Sequence, residues 1–212
     1  CMCPGGFVVP SSSGPDEIVV NGMSAAGRNS QWSNAAFVVE TRPEDIPETF
    51  FEQAKYNGCK ALAGLYYRTW LEKEAKRHGK GQAAPAQRLT DFIAERDSKD
   101  FPPTSYTPGI VASRLDQWIP SSISGRLAEA FKTFGANMKG FLCKDATMIA
   151  IETRTSTPVR ITRNKETNEC TELKNLYPAG EGAGYAGGIV SSALDGENTC
   201  TAILNKLLNT NN

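Results

Sequence analysis

The feature that most constrains this chain is a double change in its apolar rhythm. From residue 6 to residue 40 the apolar residues come in short β-branched runs, Phe7-Val8-Val9, Ile18-Val19-Val20 and Ala35-Ala36-Phe37-Val38-Val39, separated by Pro10-to-Pro15 and Asn21-Gly22. Such runs between Gly, Pro, Ser and Asn clusters read as strands and turns. From Arg42-Pro43 onward the spacing lengthens to three or four, and Leu62, Leu65, Tyr66, Trp70 and Leu71 give one apolar face to a helix over about 59–77, closed by Gly79-Lys80-Gly81. A second helix is expected over about 89–96, with Leu89, Phe92 and Ile93 inward, Thr90, Asp91 and Glu95 outward, and Phe101-Pro102-Pro103 as its end. A third is expected over 123–138, capped by Ser121 and Ser122 and facing inward through Leu127, Ala130, Phe131 and Phe134. Strand composition returns in 147–153 and 159–162. Strands, then helices, then strands imply an α+β chain with a helical insertion in, or a lid upon, a sheet-based domain. The expected boundaries are 1–41 for the first β-rich part, 42–141 for the helical insertion, 142–174 for the second β-rich part and 175–212 for a closing strand, glycine loop and helix.

Composition narrows the function classes. With 23 Lys+Arg against 23 Asp+Glu the chain lacks the basic excess that phosphate neutralisation requires, so no nucleic-acid partner is expected. No apolar run approaches the roughly 18 residues a bilayer span needs, so no membrane partner is expected either. Six cysteines, at 1, 3, 59, 143, 170 and 200, are irregularly spaced, which points to reduced thiols and a cytoplasmic protein. Without a C-x-x-C pair, and with one histidine, His78, in a basic helix end, no metal site is expected. That histidine reads as a solvated surface residue, and no Ser-His-Asp or Cys-His arrangement can be assembled around it. Trp32, Trp70 and Trp118 read as packing residues, and Asp45, Glu48 and Glu52 as dipole-favoured acids of a helix start.

The densest chemical signal lies at 175–196. Gly180, Gly182, Gly184, Gly187 and Gly188 fall within nine residues, followed by a helix of small and apolar residues expected to start near Ala186. Each glycine inside a regular element costs about 0.5–1 kcal/mol against alanine, so a cluster has a conformational or contact reason. One reading is the close approach of a large ligand to backbone N–H groups at a helix N-terminus. The other is a tight strand-turn-helix connection whose glycines serve packing. No Gly-Lys-Ser/Thr follows, which disfavours a P-loop, and Gly182-x-Gly184-x-x-Gly187 lies too near the chain end to open a Rossmann unit.

Four motifs in one order carry a resemblance: Cys1-Met2-Cys3-Pro4-Gly5-Gly6, Val20-Asn21-Gly22-Met23-Ser24, Glu152-to-Ile161, and Leu176-to-Ile189. Together they resemble the C-terminal half of the uncharacterised FAD-dependent dehydrogenases. The resemblance implies a two-domain α/β flavoprotein whose FAD-binding domain is interrupted by a substrate-side domain before its last strand and helix return. It implies that Tyr177 to Gly180 end the returning strand, and that Gly180, Glu181, Gly182, Ala183, Gly184, Tyr185, Ala186, Gly187, Gly188 and Ile189 meet the FAD. It places Cys3, Asn21, Ser24, Arg154, Thr155 and Ser156 on the substrate side, with Arg154 available to an anionic group, although a polar edge strand and an Asn-Gly hairpin turn account for the last two regions equally well. No catalytic residue is named by it. The strand-G-x-G-x-x-G-helix that binds the ADP half of FAD in the relatives has no counterpart here, so the expectation is a piece of a longer chain that binds FAD poorly by itself. The competing reading is a non-catalytic α+β module that binds a small ligand or a partner.

Overall fold

The computed structural model describes residues 5–11, 14–157 and 159–210, in two compact units, Cys1–Thr153 and Arg154–Asn212. The chain is α+β. Its first unit holds strands β1 (Gly6–Pro10), β2 (Val20–Ser24), β3 (Ala84–Arg88), β4 (Ile110–Ala112) and β5 (Thr147–Ile149). The helices of that unit are α1 (Glu48–Tyr56), α2 (Ala63–His78), α3 (Leu89–Ile93), α4 (Leu115–Trp118) and α5 (Ser121–Asn137). The second unit carries one long helix, α6 (Ile189–Thr210).

β1 and β2 pair antiparallel, Phe7 opposite Met23, while β3 is the middle of a mixed sheet ordered β4-β3-β5, parallel to β4 and antiparallel to β5. Alternation along β5 divides the interior. Met148 and Ala150 face a core of Leu89, Phe92, Leu115, Ile119, Leu127 and Phe131, supplied by α3, α4 and α5. Ile149 faces a second core of Ile18, Val20, Ala75, Ala84 and Tyr106, to which α2 contributes. The sheet is thus covered on both faces. The two β layers are joined where Val20 N donates to Ile151 O at 2.9 Å.

Several expectations are corrected. The stretch 42–141 is not helical throughout, since it contains β3 and β4. Ala84-Pro85-Ala86-Gln87-Arg88 has no β-branched or aromatic residue, yet it is the central strand: Ala84 and Ala86 fit beneath the covering layers, and the fully buried Gln87 side chain is satisfied by donating to Arg96 O at 2.9 Å and Asp116 Oδ1 at 2.7 Å. Asn21-Gly22 is not a turn: both residues lie within β2, and the chain reverses earlier. Residues 35–39 form no strand, for want of a neighbour to pair with. Phe37 instead lies 5.1 Å from the Phe131 ring and 5.7 Å from Phe141, strapping the segment onto α5. Residues 159–162 and 177–180 are likewise irregular, so among the described residues no strand leads directly into the glycine loop.

The long helices stand where their periodicity puts them, with altered detail. α2 is buried along Ala63, Tyr67, Leu71 and Ala75, one position round from the expected face. α5 begins at Ser121 with Pro120 as its N-cap and no side-chain cap, so Ser121 and Ser122 lie inside the helix. α3 stops at Ile93, well before the prolines, as Glu95 turns to a φ of 52°. Asp91 does not point outward. Its carboxylate is buried, accepting from Arg96 Nε at 2.6 Å and Ser98 Oγ at 2.8 Å, and these bonds hold the loop after α3. Burial pushes its pKa up, but Arg96 and Ser98 outweigh this and hold it below the usual carboxylate range. His78 is exposed, though its ring stacks on the Trp118 indole, 5.0 Å between centroids. No helix among the described residues is long and apolar enough to cross a membrane.

Candidate functional site

The second unit is organised around the loop that runs from Pro178 into α6, which starts at Ile189 rather than Ala186. The loop closes on itself: Gly184 N donates to Glu181 O at 2.9 Å, and Tyr185 N to Gly180 O at 3.0 Å. Residues 157 and 159–163 lie along it. Ile161 N donates to Ala183 O at 3.2 Å, Thr157 Oγ1 to Glu181 O at 2.8 Å, and Arg160 Nε to Gly184 O at 2.8 Å. Tyr185 returns the contact, its hydroxyl donating to Ile161 O at 2.9 Å.

The five glycines differ in why they are glycine. Gly180 and Gly184 have φ of 73° and 83°, the left-handed region that side chains disfavour. A Cβ on Gly184 would also stand 2.6 Å from Val159 O, so its identity is required by the chain's own packing. Gly188 is intermediate: a Cβ there would meet Ser191 Oγ at 3.3 Å, the hydroxyl that accepts from Gly188 N and donates to Gly188 O at the start of α6. Gly182 and Gly187 have neither a positive φ nor any atom within 4 Å of a built Cβ, and both are exposed. Glu181, just before Gly182, is exposed, while Ala183, between the two glycines, is buried.

The remaining sequence candidates are scattered within their own units. Asn21 and Ser24 are three positions apart on β2, so they lie on opposite faces of the strand. Asn21 is exposed and its Oδ1 accepts from Gly22 N at 2.7 Å, while Ser24 is half-buried opposite Gly6. Cys3 lies outside the described residues. Arg154 is half-buried, and Thr155 and Ser156 form an exposed bend rather than an edge strand. Beside them in sequence, burial raises the pKa of Glu152. Among the described residues no group of three or more His, Cys, Asp or Glu converges on a metal position.

Sequence reasoning missed Arg163 and Asp195. The Arg163 guanidinium donates to both Asp195 oxygens, Nη2 to Oδ1 at 2.6 Å and Nη1 to Oδ2 at 3.0 Å, and packs 3.7 Å from the Tyr185 ring centroid. Hydrogen bonding from Arg163, with a further bond from Gly180 N, holds the Asp195 carboxyl below its ordinary pKa. No local pattern joins two residues so far apart in sequence.

The family described as FAD-dependent protein, C-terminal domain-like, matches residues 1–155, the whole of the first unit and the two residues after it. The chain belongs to this family. Its glycine loop lies beyond the matched range. A relative from Clostridium beijerinckii, described as an uncharacterized protein, is 38% identical over 209 residues, 97% of this chain, and so covers that loop as well. The chain spans 37% of the length of this relative. Family membership links the first unit to FAD-dependent proteins and gives the question of what fits the open glycines a specific candidate.

Proposed function

We propose that this chain serves as the C-terminal portion of a FAD-dependent oxidoreductase, contributing a substrate-side α+β part and the closing glycine loop and helix of an FAD-binding domain. The observation that carries the reading is the exposed pair Gly182 and Gly187, whose missing side chains neither backbone conformation nor internal packing requires. Open space alone does not mark a ligand, since Gly125 within α5 has it too; the pair stands out because Gly182 lies within a self-bonded loop and Gly187 just after it, at the start of a 22-residue helix. Such a loop fits a large flat cofactor, because a backbone without Cβ atoms admits it to contact.

In this reading Gly180 to Ile189 face the FAD, and the free N–H groups of the first turn of α6 favour negative charge there by about 1 kcal/mol. Bound FAD supplies hydride or electron transfer. The chain's own residues bind, orient and exclude water: Arg154, Thr155 and Ser156 face the substrate, with Arg154 drawn to an anionic group. The partner is an N-terminal half carrying the strand-G-x-G-x-x-G-helix motif. Its seat is supported by α6, whose Ile189, Val190, Leu194, Leu204 and Leu207 are all more than half exposed. At 3.6 residues per turn these five share an arc of about 140°. Free Cys59, Cys143, Cys170 and Cys200 accord with the cytoplasm.

The test is the flavin content of the full-length polypeptide. We expect near-stoichiometric flavin absorbance, lost in large part in Gly187→Val, and little uptake of FAD by the 212-residue chain alone. A colourless full-length protein, or unchanged flavin in Gly187→Val, overturns the reading.

A further inference from the structure

We infer that Arg163 and Asp195 are positioning residues that hold the glycine loop in its binding shape before any ligand arrives; the inference rests on the role proposed for that loop. Five glycines in nine residues make a soft backbone, and whatever binds such a loop must otherwise supply the ordering free energy. Here the chain supplies it.

The two side chains are 10% and 16% exposed, and both Nη atoms of Arg163 and both Asp195 oxygens are engaged. Arg163 Nη1 donates to Pro178 O at 2.6 Å and lies 3.4 Å from Thr199 Oγ1, besides the forked contact with Asp195. Asp195 Oδ2 accepts in addition from Gly180 N at 2.9 Å. The guanidinium face carries the Tyr185 ring, and Tyr185 N returns to Gly180 O. The pair therefore ties three pieces together: the entering arm 178–180, the second turn of α6, and Tyr185 beyond the middle of the loop. None of these contacts uses Gly182 or Gly187, so the clamp leaves the open positions free. Charge-assisted, forked hydrogen bonds are among the stronger directional contacts a protein makes, and lysine cannot reproduce the fork. Arg163 and Asp195 act through the loop backbone and are not catalytic residues.

The test has one arm without flavin and one with it. In the 212-residue chain, amide hydrogen exchange at Gly180 and Tyr185 should quicken by about tenfold or more in Arg163→Ala, the scale of a lost charged hydrogen bond, with α2 amides unchanged. Millimolar guanidinium, far below denaturing levels, should refill the vacated site and slow exchange again, a rescue that general destabilisation does not show. Asp195→Asn reads the same Gly180 amide if Arg163→Ala fails to fold. In the full-length protein, flavin release should quicken by a similar factor in Arg163→Ala and slow with guanidinium. Unchanged exchange at Gly180 and Tyr185 overturns the clamp. Faster exchange with unchanged flavin release overturns its positioning role. Wild-type full-length protein without flavin sinks the proposed function instead, while the exchange arm still judges the clamp.

Discussion

Replacing Gly184 and Gly187 one at a time by alanine separates a glycine that folding requires from one that it does not. At Gly184 the new side chain must adopt a φ of 83°, which costs an L-residue roughly 1–2 kcal/mol. Its Cβ would stand 2.6 Å from Val159 O and 3.0 Å from Arg160 Cα, both backbone atoms that no rotamer change can move aside. Relieving that overlap displaces the segment whose Ile161 N bonds Ala183 O and whose Arg160 Nε bonds Gly184 O, adding about 1–2 kcal/mol of overpacking. Gly184→Ala should therefore destabilise the second unit by about 2–4 kcal/mol. Gly187→Ala meets nothing within 4 Å at a φ outside the left-handed region, and loses only unfolded-state freedom. It should be neutral or stabilise by up to about 1 kcal/mol. The assay is urea denaturation followed by far-UV circular dichroism, with tryptophan emission as an internal control, since Trp32, Trp70 and Trp118 all lie in the first unit. Equal midpoints for the two variants, or a greater loss in Gly187→Ala, would refute the division of the loop into packing glycines and open ones.

Two further perturbations address the first unit. Phe131 is 2% exposed at the centre of the larger core, beside Phe37, Phe92 and Phe141, so Phe131→Ala should cost about 3–5 kcal/mol in chemical denaturation, and a loss below 1 kcal/mol would contradict that packing. Burial raises the Glu152 pKa, so the folded state binds its proton more tightly than the unfolded state, and stability falls as pH rises from the unfolded pKa through the folded one. Glu152→Gln should accordingly raise the thermal midpoint at pH 7 and leave it nearly unchanged at about pH 4; equal effects at both pH values would refute the desolvation argument.

How much of this was legible in advance follows from the range of each interaction. α2 and α5 stand within a few residues of their expected limits because a 3.6-residue period survives in the sequence whatever packs against it. β3 escaped notice for the opposite reason. Its Ala-Pro-Ala-Gln-Arg composition is adapted to a crowded layer between helices, and its partners β4 and β5 come from distant parts of the chain. The run at 35–39 failed as a strand because β-propensity needs a neighbour to pair with, and Phe37 found α5 instead. Asp91 reads as a surface acid in a helix so short that its side chain reaches the following loop, where Arg96 and Ser98 receive it.

The same distinction governs the candidate site. By itself the sequence determined that this is an α+β chain, with long helices at the right places and a glycine loop before a helix, since these depend on local periodicity and on backbone freedom written residue by residue. Only the tertiary structure decided that Gly184 answers to Val159 and Arg160 while Gly182 and Gly187 face open space. It alone paired Arg163 with Asp195 across 32 residues of sequence. A hydrogen bond or a close backbone approach is a property of two places in space, and neither residue of such a pair carries in its own neighbourhood a mark of the other.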